Sequence, residues 1–398
     1  MDIAQRREFD EWFVEASLKD AELETSFHAL CQRLVEIGVS LMRGHLAMGS
    51  LHPMVASTDM TWWKDGTVSR STHGYTEAMN EQWMRSPLRM ALENQLPEFR
   101  VTLGGNAEWE QYPVLVELAE VGATDYLIRL FSFTDPERAV FSNDGAMISW
   151  TSNRPGGFSE ADLECLEFAG QRIAVLAKIA KREQTLVGLV SAYLGSEAGR
   201  RVLNGQIRRG DLETIPAVIW YSDLRESTAL AERLSPEAFV ATLNDYFEST
   251  AGAVLDHGGE VLRFIGDAVL AIFPVSGVEG AERWARVALA SAESAKARLV
   301  TMNQRRAQAG QPELGFGLGL HLGDVQFGNI GVAERVEFSV VGPAANKVCR
   351  IEGLTKALDE TILVSREFSS LLPVDWRDLG AHQLQGIGTP ERLFAPPT

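Results

Sequence analysis

The chain contains few cysteines, and their positions exclude two kinds of site. Its 398 residues include three, Cys31, Cys165 and Cys349. They are odd in number, far apart, and in none of the spacings that zinc sites or disulfide frameworks use. We therefore expect neither a disulfide scaffold nor a cysteine metal centre. Scattered free thiols are typical of proteins from a reducing cytosol.

Basic residues are in deficit: 37 Lys and Arg stand against 54 Asp and Glu, for a net charge of −17. Proteins that bind nucleic acid or anionic membranes generally need a basic face. The composition therefore predicts neither partner. It also means that a phosphate-rich substrate has to be met by metal ions or by local basic residues.

Long apolar runs are missing as well. None reaches the ~18 residues that a membrane span requires, and the mixed-charge start, residues 1–12, has no signal-peptide core. Hydrophobic residues make up 45% and charged residues 23%, as in globular proteins. We expect a soluble cytoplasmic protein of two or three domains, without membrane contact.

The first half is predicted to hold helices at its two ends and strands between them. Apolar periodicity predicts helices over about the first 20 residues and over 22–42, where Phe27, Leu30, Leu34 and Ile37 share one stripe. Ser159 is the expected N-cap of a long exit helix. Strand candidates are 45–51, 125–133 and 146–152, the last two joined by a turn-rich connection at 134–144.

Aromatic and histidine side chains of this half are expected to be structural. Core packing explains its six tryptophans more simply than an aromatic-lined pocket does. They are Trp12, Trp62, Trp63, Trp83, Trp109 and Trp150. The histidines, His28, His45, His52 and His73, are in no pattern that indicates a chromophore or haem. The segment 196–216 is locally basic and is either a solvated face or a coupling element between domains.

From residue 217 the pattern becomes regular. Ser235 and Pro236 occupy the N-cap and first position of a helix. The predicted elements are strand 217–224, helix 235–259, strands 260–265 and 268–273, helix 280–307, a strand-rich segment 314–331, a short helix 342–354 and strand 361–365. This is the βαββαβ order of a ferredoxin-like domain. The fold class is therefore α/β, of the α+β type.

One acidic residue is unexpected in this pattern. Gly266 and Asp267 separate two apolar runs, which predicts a tight hairpin of the type II′ kind. Turn aspartates are often merely solvated. Asp223, however, ends the first strand, which lies beside the hairpin in a βαββαβ sheet. Two carboxylates that converge there repel each other and invite divalent cations. Paired Mg²⁺ ions hold triphosphates and activate oxygen nucleophiles.

Asn346 and Arg350 are four residues apart on a predicted helix and share one face. An amide and a guanidinium on one face can orient a ribose and stabilise charge on a phosphoryl transition state. Taken alone, a backbone-bonded asparagine and a surface ion pair explain them better.

Four motifs, in order and spacing, resemble the catalytic domain of class III nucleotidyl cyclases. They are YSDLREST, HGGEVLRFIGDAVLAIFP, GLHLGDVQFGNIG and FSVVGPAANKVCRIEGL, within residues 214–395. The resemblance implies conversion of ATP to 3′,5′-cyclic AMP and pyrophosphate, by attack of the ribose 3′-oxygen on the α-phosphorus.

The resemblance also implies roles for single residues. It assigns two Mg²⁺ or Mn²⁺ ions per active site to Asp223, Asp267 and Leu224. It makes Asn346 the ribose-orienting residue and Arg350 the transition-state residue. In this family one protomer of a head-to-tail dimer supplies the aspartates and the other the Asn and Arg. A homodimer would hold two complete sites.

Phosphate and base positions follow from the same resemblance. Ser227, Thr228 and Gly266 match the phosphate-binding positions. Arg263 stands where adenylyl cyclases usually carry lysine, and Ser339 where they carry Asp, Thr or Ser, whereas guanylyl cyclases carry Glu and Cys. A cation and a hydroxyl suit an adenine edge, which favours ATP.

Two departures keep alternatives open. The family's Gly-Phe-Thr after the first aspartate reads Glu226, Ser227, Thr228 here, and its C-terminal basic residue matches Gln385. A guanylate cyclase and a catalytically weakened nucleotide-binding module therefore stay possible. A diguanylate cyclase is excluded, because Gly258 and Gly259 precede the hairpin instead of forming its tip.

The expected domain plan has three parts. Residues 1–190 resemble a GAF-type sensor domain, whose small-molecule or protein signal the sequence does not identify, with an exit helix that pairs with its dimer mate. Residues 191–215 are predicted to be a linker, and residues 216–398 the catalytic domain.

Overall fold

The computed structural model describes residues 1, 3–19, 22–75, 83–104, 107–133, 144–275 and 280–397. The chain divides into two compact units, Met1–Leu189 and Val190–Thr398. The connection predicted at 134–144 lies outside the described residues except for its last position. Within the described ranges, no helix is long and apolar enough to cross a membrane.

The first unit is built on a six-stranded antiparallel sheet. Its strands are β1 (Arg43–Gly49), β2 (Ser57–Trp63), β3 (Val68–His73), β4 (Glu98–Thr102), β5 (Asp125–Ser132) and β6 (Gly145–Ser152), in the order β3-β2-β1-β6-β5-β4. Its helices are α1 (Ile3–Leu18), α2 (Leu23–Glu36), α3 (Pro87–Glu93), a 3-10 helix (Ala107–Gln111) and α4 (Pro113–Glu120). Helix α5 (Glu160–Leu194) follows. The three predicted strands are confirmed as β1, β5 and β6, while the resemblance to a GAF domain stays a prediction.

Two hydrophobic clusters cover the two faces of this sheet. Phe27, Leu30 and Leu34 of α2 are buried against one face, where the ring centroid of Phe27 lies 5.8 Å from that of Trp150. The six tryptophans are divided between this cluster and the one on the opposite face, which confirms that they serve the core.

Helix ends in this unit follow local chemistry. Helix α2 stops at Glu36, earlier than predicted, because Gly38 takes a left-handed conformation with φ of 92°. The Val39 N–H then bonds the Leu34 carbonyl at 2.9 Å, a Schellman ending. Ser159 caps α5 as predicted: the Asp162 N–H donates to Ser159 Oγ at 3.2 Å, and the Ser159 N–H donates to Asp162 Oδ2 at 2.8 Å.

The second unit contains an eight-stranded sheet. Its strands are β7 (Leu212–Leu224), β8 (Glu260–Ile265), β9 (Ala268–Pro274), β10 (Phe316–Val332), β11 (Arg335–Val341), β12 (Ile362–Ser365), β13 (Arg377–His382) and β14 (Glu391–Ala395). The order is β13-β14-β12-β10-β7-β9-β8, with β11 paired to β10. The segment β10-β7-β9-β8 has the ferredoxin-like strand order, which confirms the predicted βαββαβ arrangement.

Helices lie on both faces of this second sheet. They are α6 (Ser196–Leu203), α7 (Ser227–Arg233), α8 (Pro236–Asp256), α9 (Gly280–Gln308), α10 (Pro343–Glu352) and α11 (Arg366–Ser369). Helices α8 and α9 pack on one face, and α6 and α10 on the other. Ser235 accepts a hydrogen bond from the Ala238 N–H, which confirms it as the N-cap of α8.

The segment predicted as a linker, 191–215, is mostly structured. It contains α6 and the first residues of β7. Ala198 of α6 is fully buried in the cluster that Ile219 and Val348 share. The segment is polar and rich in arginine, so its sequence gives little indication that Ala198 packs in an apolar cluster.

A buried serine on β7 collects two hydrogen bonds. Trp220 Nε1 donates to Ser222 Oγ at 3.1 Å, and the Tyr246 hydroxyl of α8 donates to the same oxygen at 3.0 Å. All three side chains are fully buried. Because both donors depend on one acceptor, Ser222 ties α8 to the strand that carries Asp223.

We expect Ser222→Ala to lower the free energy of unfolding by about 2–4 kcal/mol, since it leaves two buried donors without partners. Tyr246→Phe removes only one hydrogen bond and should cost about 1 kcal/mol. Urea titration of both variants measures the difference. Equal destabilisation by the two substitutions would contradict the shared-acceptor role.

Candidate active site

Asp223 and Asp267 lie side by side at one end of the second sheet. Asp223 is directly opposite Ala268, the first residue of β9, and Asp267 immediately precedes it. Gly266, the first residue of the two-residue turn, has a φ of 63°. A type II′ hairpin requires a positive φ at this position, which glycine adopts readily. The predicted hairpin and the proximity of the two carboxylates are therefore confirmed.

The pair is held in an unfavourable electrostatic setting. Burial, followed by the Asp267 carboxylate, raises the pKa of Asp223 to about 6. Oxygen Oδ1 of Asp223 is buried and has no hydrogen-bond partner within the described part of the chain. Glu352 of α10 is also nearby: burial and then Asp223 raise its pKa to about 7. Negative charge accumulates here without a compensating cation among the groups that shift Asp223.

This arrangement fits a divalent cation. An orphaned carboxylate oxygen beside a second carboxylate is the hard oxygen donor set that Mg²⁺ and Mn²⁺ prefer. Leu224 has a buried aliphatic side chain, so only its main-chain carbonyl can take part. No group of three acidic, histidine or cysteine side chains suited to a metal occurs among the described residues. The remaining coordination positions would therefore belong to the main chain, water or substrate.

The predicted phosphate-binding residues flank the aspartate pair in the chain. Ser227 and Thr228 begin α7, and Gly266 forms the hairpin turn. Glu226, the residue before α7, has an exposed side chain and a left-handed φ of 61°. Glycine is the residue that accepts such a conformation without strain. Sequence patterns do not reveal that a glutamate here is strained.

Arg263 and Ser339, the predicted base-reading residues, come from different strands. Arg263 Nε of β8 lies 2.9 Å from Glu337 Oε1 of β11. Glu337 and Ser339 are two residues apart on β11 and share one of its faces. The ion pair therefore brings Arg263 to the face that carries Ser339. Glu337 was missed from the sequence, although its position two residues before Ser339 was a usable signal.

Asn346 and Arg350 are both exposed on the outer face of α10, as their spacing predicted. The opposite face of this helix, with Ala345, Val348 and Ile351, packs against the sheet. Arg350 makes no hydrogen bond or ion pair with any described residue, so the surface ion pair considered from the sequence is not found. No hydrogen bond or ion pair joins Arg350 or Asn346 to the aspartates within the described chain.

Gln385 lies exposed in the turn between β13 and β14, close behind the buried Leu384. Its side chain contacts no described polar group. The side chain of Gln385 is open to solvent and uncharged. It therefore cannot supply the positive charge that the resemblance predicts at this position.

The pKa of Asp223 predicts a pH-dependent stability. Because its folded-state pKa of about 6 exceeds its ordinary value of 3.8, the folded protein binds this proton more tightly than the unfolded chain does. That stabilisation is complete below pH 3.8 and is lost as the pH rises through about 6. In metal-free protein, Asp223→Asn should therefore raise the melting temperature at pH 8 and have little effect near pH 4.

Asp324→Asn is a matched control, since Asp324 is an exposed carboxylate on β10. Thermal melts of the three proteins at several pH values measure the effect. Adding Mg²⁺ at pH 8 should stabilise the wild type and the control but not Asp223→Asn. Identical pH profiles for wild type and Asp223→Asn would contradict the repulsive pair.

The strain at Glu226 gives a second prediction. Glu226→Gly should raise the free energy of unfolding by roughly 1 kcal/mol, because glycine removes the cost of the left-handed backbone. Glu226→Ala removes the same charge and keeps the steric cost, so it should not stabilise the chain. Denaturant melts distinguish the two, and equal stability of both variants would refute the backbone explanation.

Comparison with known proteins agrees with this geometry. Residues 213–393 match the profile described as the adenylate and guanylate cyclase catalytic domain. Adenylate cyclase 1 of Rhizobium meliloti is 29% identical over 225 residues, 56% of this chain and 31% of that protein. An adenylate cyclase of Anabaena cylindrica is 31% identical over 163 residues, 40% of this chain and 31% of that protein. The chain thus spans about a third of the length of these two relatives.

Among solved structures, the adenylyl cyclase CyaB from P. aeruginosa is similar with a TM-score of 0.44 and 26% identity, over 47% of this chain and 96% of that one. The guanylyl cyclase Cya2 is similar with a TM-score of 0.41 and 29% identity, over 46% and 92%. The profile match contains the aspartate pair, the base-reading face and α10. Residues 213–393 therefore belong to the class III adenylate and guanylate cyclase catalytic domains.

Proposed function

We propose that the chain is an adenylate cyclase that converts ATP to 3′,5′-cyclic AMP and pyrophosphate in a head-to-tail homodimer. The observation that carries this proposal is the separation of two incomplete halves on one chain. Among the described residues, no cationic side chain pairs with the two aspartates, and no anionic side chain pairs with the exposed Arg350. A second copy of the chain, arranged head to tail, would place its Asn346 and Arg350 opposite the aspartate pair of the first copy. The symmetry of the dimer then forms two equivalent sites.

Each half has a defined task in the proposed reaction. Asp223 and Asp267, with the Leu224 carbonyl, hold two Mg²⁺ or Mn²⁺ ions. When bound, such ions neutralise the triphosphate and favour ionisation of a hydroxyl group. Asn346 of the second copy orients the ribose so that its 3′-oxygen points at the α-phosphorus. The 3′-hydroxyl loses its proton to water, a bond forms between the 3′-oxygen and the α-phosphorus, the bond from the α-phosphorus to the bridging oxygen breaks, and pyrophosphate leaves.

The transition state of this transfer places extra charge on the oxygens around the α-phosphorus. The planar guanidinium of Arg350 can donate two hydrogen bonds to such oxygens. Arg350 is exposed and has no partner among the residues that the structure describes, so both donors are available. Ser227, Thr228 and the Gly266 main chain are proposed to contact the phosphates from the side of the aspartates.

Base recognition is proposed to favour adenine. Arg263 supplies a donor for a ring nitrogen, and the Ser339 hydroxyl accepts from the exocyclic amine. Glu337 holds the guanidinium of Arg263 at 2.9 Å and so limits its orientations. The same carboxylate offers an acceptor that a guanine edge can use. GTP is therefore the second candidate substrate, and this ion pair is the observation in its favour.

We further propose that residues 1–190 regulate the catalytic domain in response to a small-molecule or protein signal in the cytoplasm. The long helix α5 connects the sequence of the first unit to that of the second. Its later half exposes Ile179, Leu186 and Tyr193 at intervals of seven residues, a spacing typical of paired helices.

Cyclic nucleotide production tests the proposed reaction directly. Purified full-length protein is incubated with ATP or GTP in Mg²⁺ or Mn²⁺, beside Asp267→Ala and the control Asp324→Asn. We expect cyclic AMP from wild type and control, and at least a hundredfold loss in Asp267→Ala, because the remaining carboxylate cannot hold both ions.

Cyclic GMP as the main product would overturn the proposed roles of Arg263 and Ser339. Bound nucleotide without any product would favour a nucleotide-binding module, in which Glu226 and Gln385 have cost the domain its activity. Full activity in Asp267→Ala would contradict the metal role of the pair.

A further inference from the structure

Helix α10 lies directly on the main chain of strand β10. Gly319 and Gly323 are on the face of the strand that meets the helix. A β-carbon on Gly319 would lie 2.8 Å from the carbonyl oxygen of Val348, and one on Gly323 would lie 2.7 Å from the β-carbon of Ala344. Only glycine therefore permits this approach. Because glycines have no side chains to interlock with the helix, these two positions fix the height of α10 but not its rotation.

Lys347 lies on the flank of α10, between its exposed face and its buried face. It directly follows Asn346, which is exposed, and it is three residues before the exposed Arg350. It is also four residues before Ile351, which is fully buried. Residues three and four apart are neighbours on a helix surface, so Lys347 lies beside both. Its side chain is only 14% exposed.

The Lys347 ammonium binds two carboxylates from different elements. Its Nζ lies 2.9 Å from Glu367 Oε1 of α11 and 2.9 Å from Glu391 Oε1 of β14. Burial lowers the pKa of Lys347, but the two carboxylates outweigh burial and raise this pKa above its ordinary value. The ammonium is therefore charged, and its low exposure limits the screening of both ion pairs by solvent.

Both carboxylates are fixed to the sheet. Glu367 lies two residues after Ser365, the last residue of β12, whose hydroxyl caps α11 by accepting from the Phe368 N–H at 3.3 Å. Glu391 begins β14, whose pairing with β12 includes Ser365. The two anchors thus belong to one part of the sheet, and Lys347 ties the flank of α10 to it.

Among the residues that the structure describes, Lys347 is the only side chain of α10 that forms a hydrogen bond or ion pair with another helix or strand. We propose that Lys347 is a positioning residue: by binding Glu367 and Glu391 it fixes the rotation of α10, and thereby the direction in which Asn346 and Arg350 face a second copy of the chain. This inference rests on the proposed function. A displacement of about 1 Å in a reacting group can cost about a hundredfold in rate.

Steady-state kinetics separates positioning from substrate binding. Lys347→Met keeps the aliphatic stem and removes the charge. It should lower kcat at least about tenfold and change the KM for ATP less than about threefold, because metal ions on the aspartates still hold the triphosphate. Lys347→Arg can form both ion pairs and should retain at least about half of kcat. Lys356→Met alters an exposed lysine just after α10 and is the matched control.

Subunit exchange distinguishes positioning from folding. In a mixed dimer of Asp267→Ala and Arg350→Ala chains, the intact site takes its aspartates from the Arg350→Ala chain and its α10 from the Asp267→Ala chain. Lys347→Met on the Asp267→Ala chain should therefore lower the activity of the mixture at least about tenfold. The same substitution on the Arg350→Ala chain should lower it less than about twofold, because α10 of that chain belongs to the disabled site.

Glu391→Gln removes one of the two ion pairs at constant side-chain size, and it takes the place of Lys347→Met if that variant does not fold. It should lower kcat at least about threefold, with the same dependence on the chain that carries it. Equal losses in the two mixtures, loss in neither, or loss only on the Arg350→Ala chain would overturn the positioning role.

Failure of the proposed function gives a different result. A wild type that forms no cyclic nucleotide would contradict the proposed function, as would an exchanged pair of Asp267→Ala and Arg350→Ala chains that recovers no activity. Either result would overturn the role of Lys347 with it. An active wild type and an active reference pair, with Lys347→Met indistinguishable from Lys356→Met, would overturn the role of Lys347 alone.

Discussion

The repulsion between Asp223 and Asp267 is the constraint on which the second unit depends. The sheet places one carboxylate at the end of β7 and the other at the tip of the β8–β9 hairpin, in direct register. Burial prevents water from screening them fully, and the pKa of Asp223 rises to about 6 as a result. A fold that accepts this cost at the end of its central strands gains a site where divalent cations are favoured.

Much of this site could be predicted, because it follows from local rules. A glycine between two apolar runs indicates a hairpin, and the strand order of a βαββαβ unit puts Asp223 beside it. Helix spacing alone brought Asn346 and Arg350 to one face. The ends of α8 and α5 were recognisable from Ser235 and Ser159, since capping depends on residues only three positions apart.

The remainder depended on contacts between distant residues or on backbone angles. Glu337 became visible only when its carboxylate was found on Arg263, 74 positions away in the chain by their residue numbers. The strain at Glu226 is a property of φ, which side-chain patterns do not encode. Helix α2 ended early because Gly38 started a Schellman turn inside an apolar run, and α6 escaped prediction because one buried alanine holds it. His45, expected to be structural, has an unsatisfied nitrogen.

Both units place polar atoms where their own residues do not satisfy them. Within the described ranges these are His45 Nδ1 in the first unit, and Asp223 Oδ1 and the Arg350 guanidinium in the second. Unpartnered charge is destabilising, so its position indicates where a fold expects another molecule. For residues 213–393, which match the cyclase catalytic domain, we propose that this molecule is a metal-bound nucleotide together with a second copy of the chain.

Subunit complementation tests this central claim most directly. Asp267→Ala and Arg350→Ala each disable every site of their own homodimer, but a head-to-tail heterodimer of the two retains one site with all its groups intact. Random exchange of equal amounts makes half of the dimers mixed, so about a quarter of wild-type cyclase activity should return on mixing. Two inactive proteins that stay inactive after verified subunit exchange would show that the aspartates and Arg350 do not act across a dimer interface.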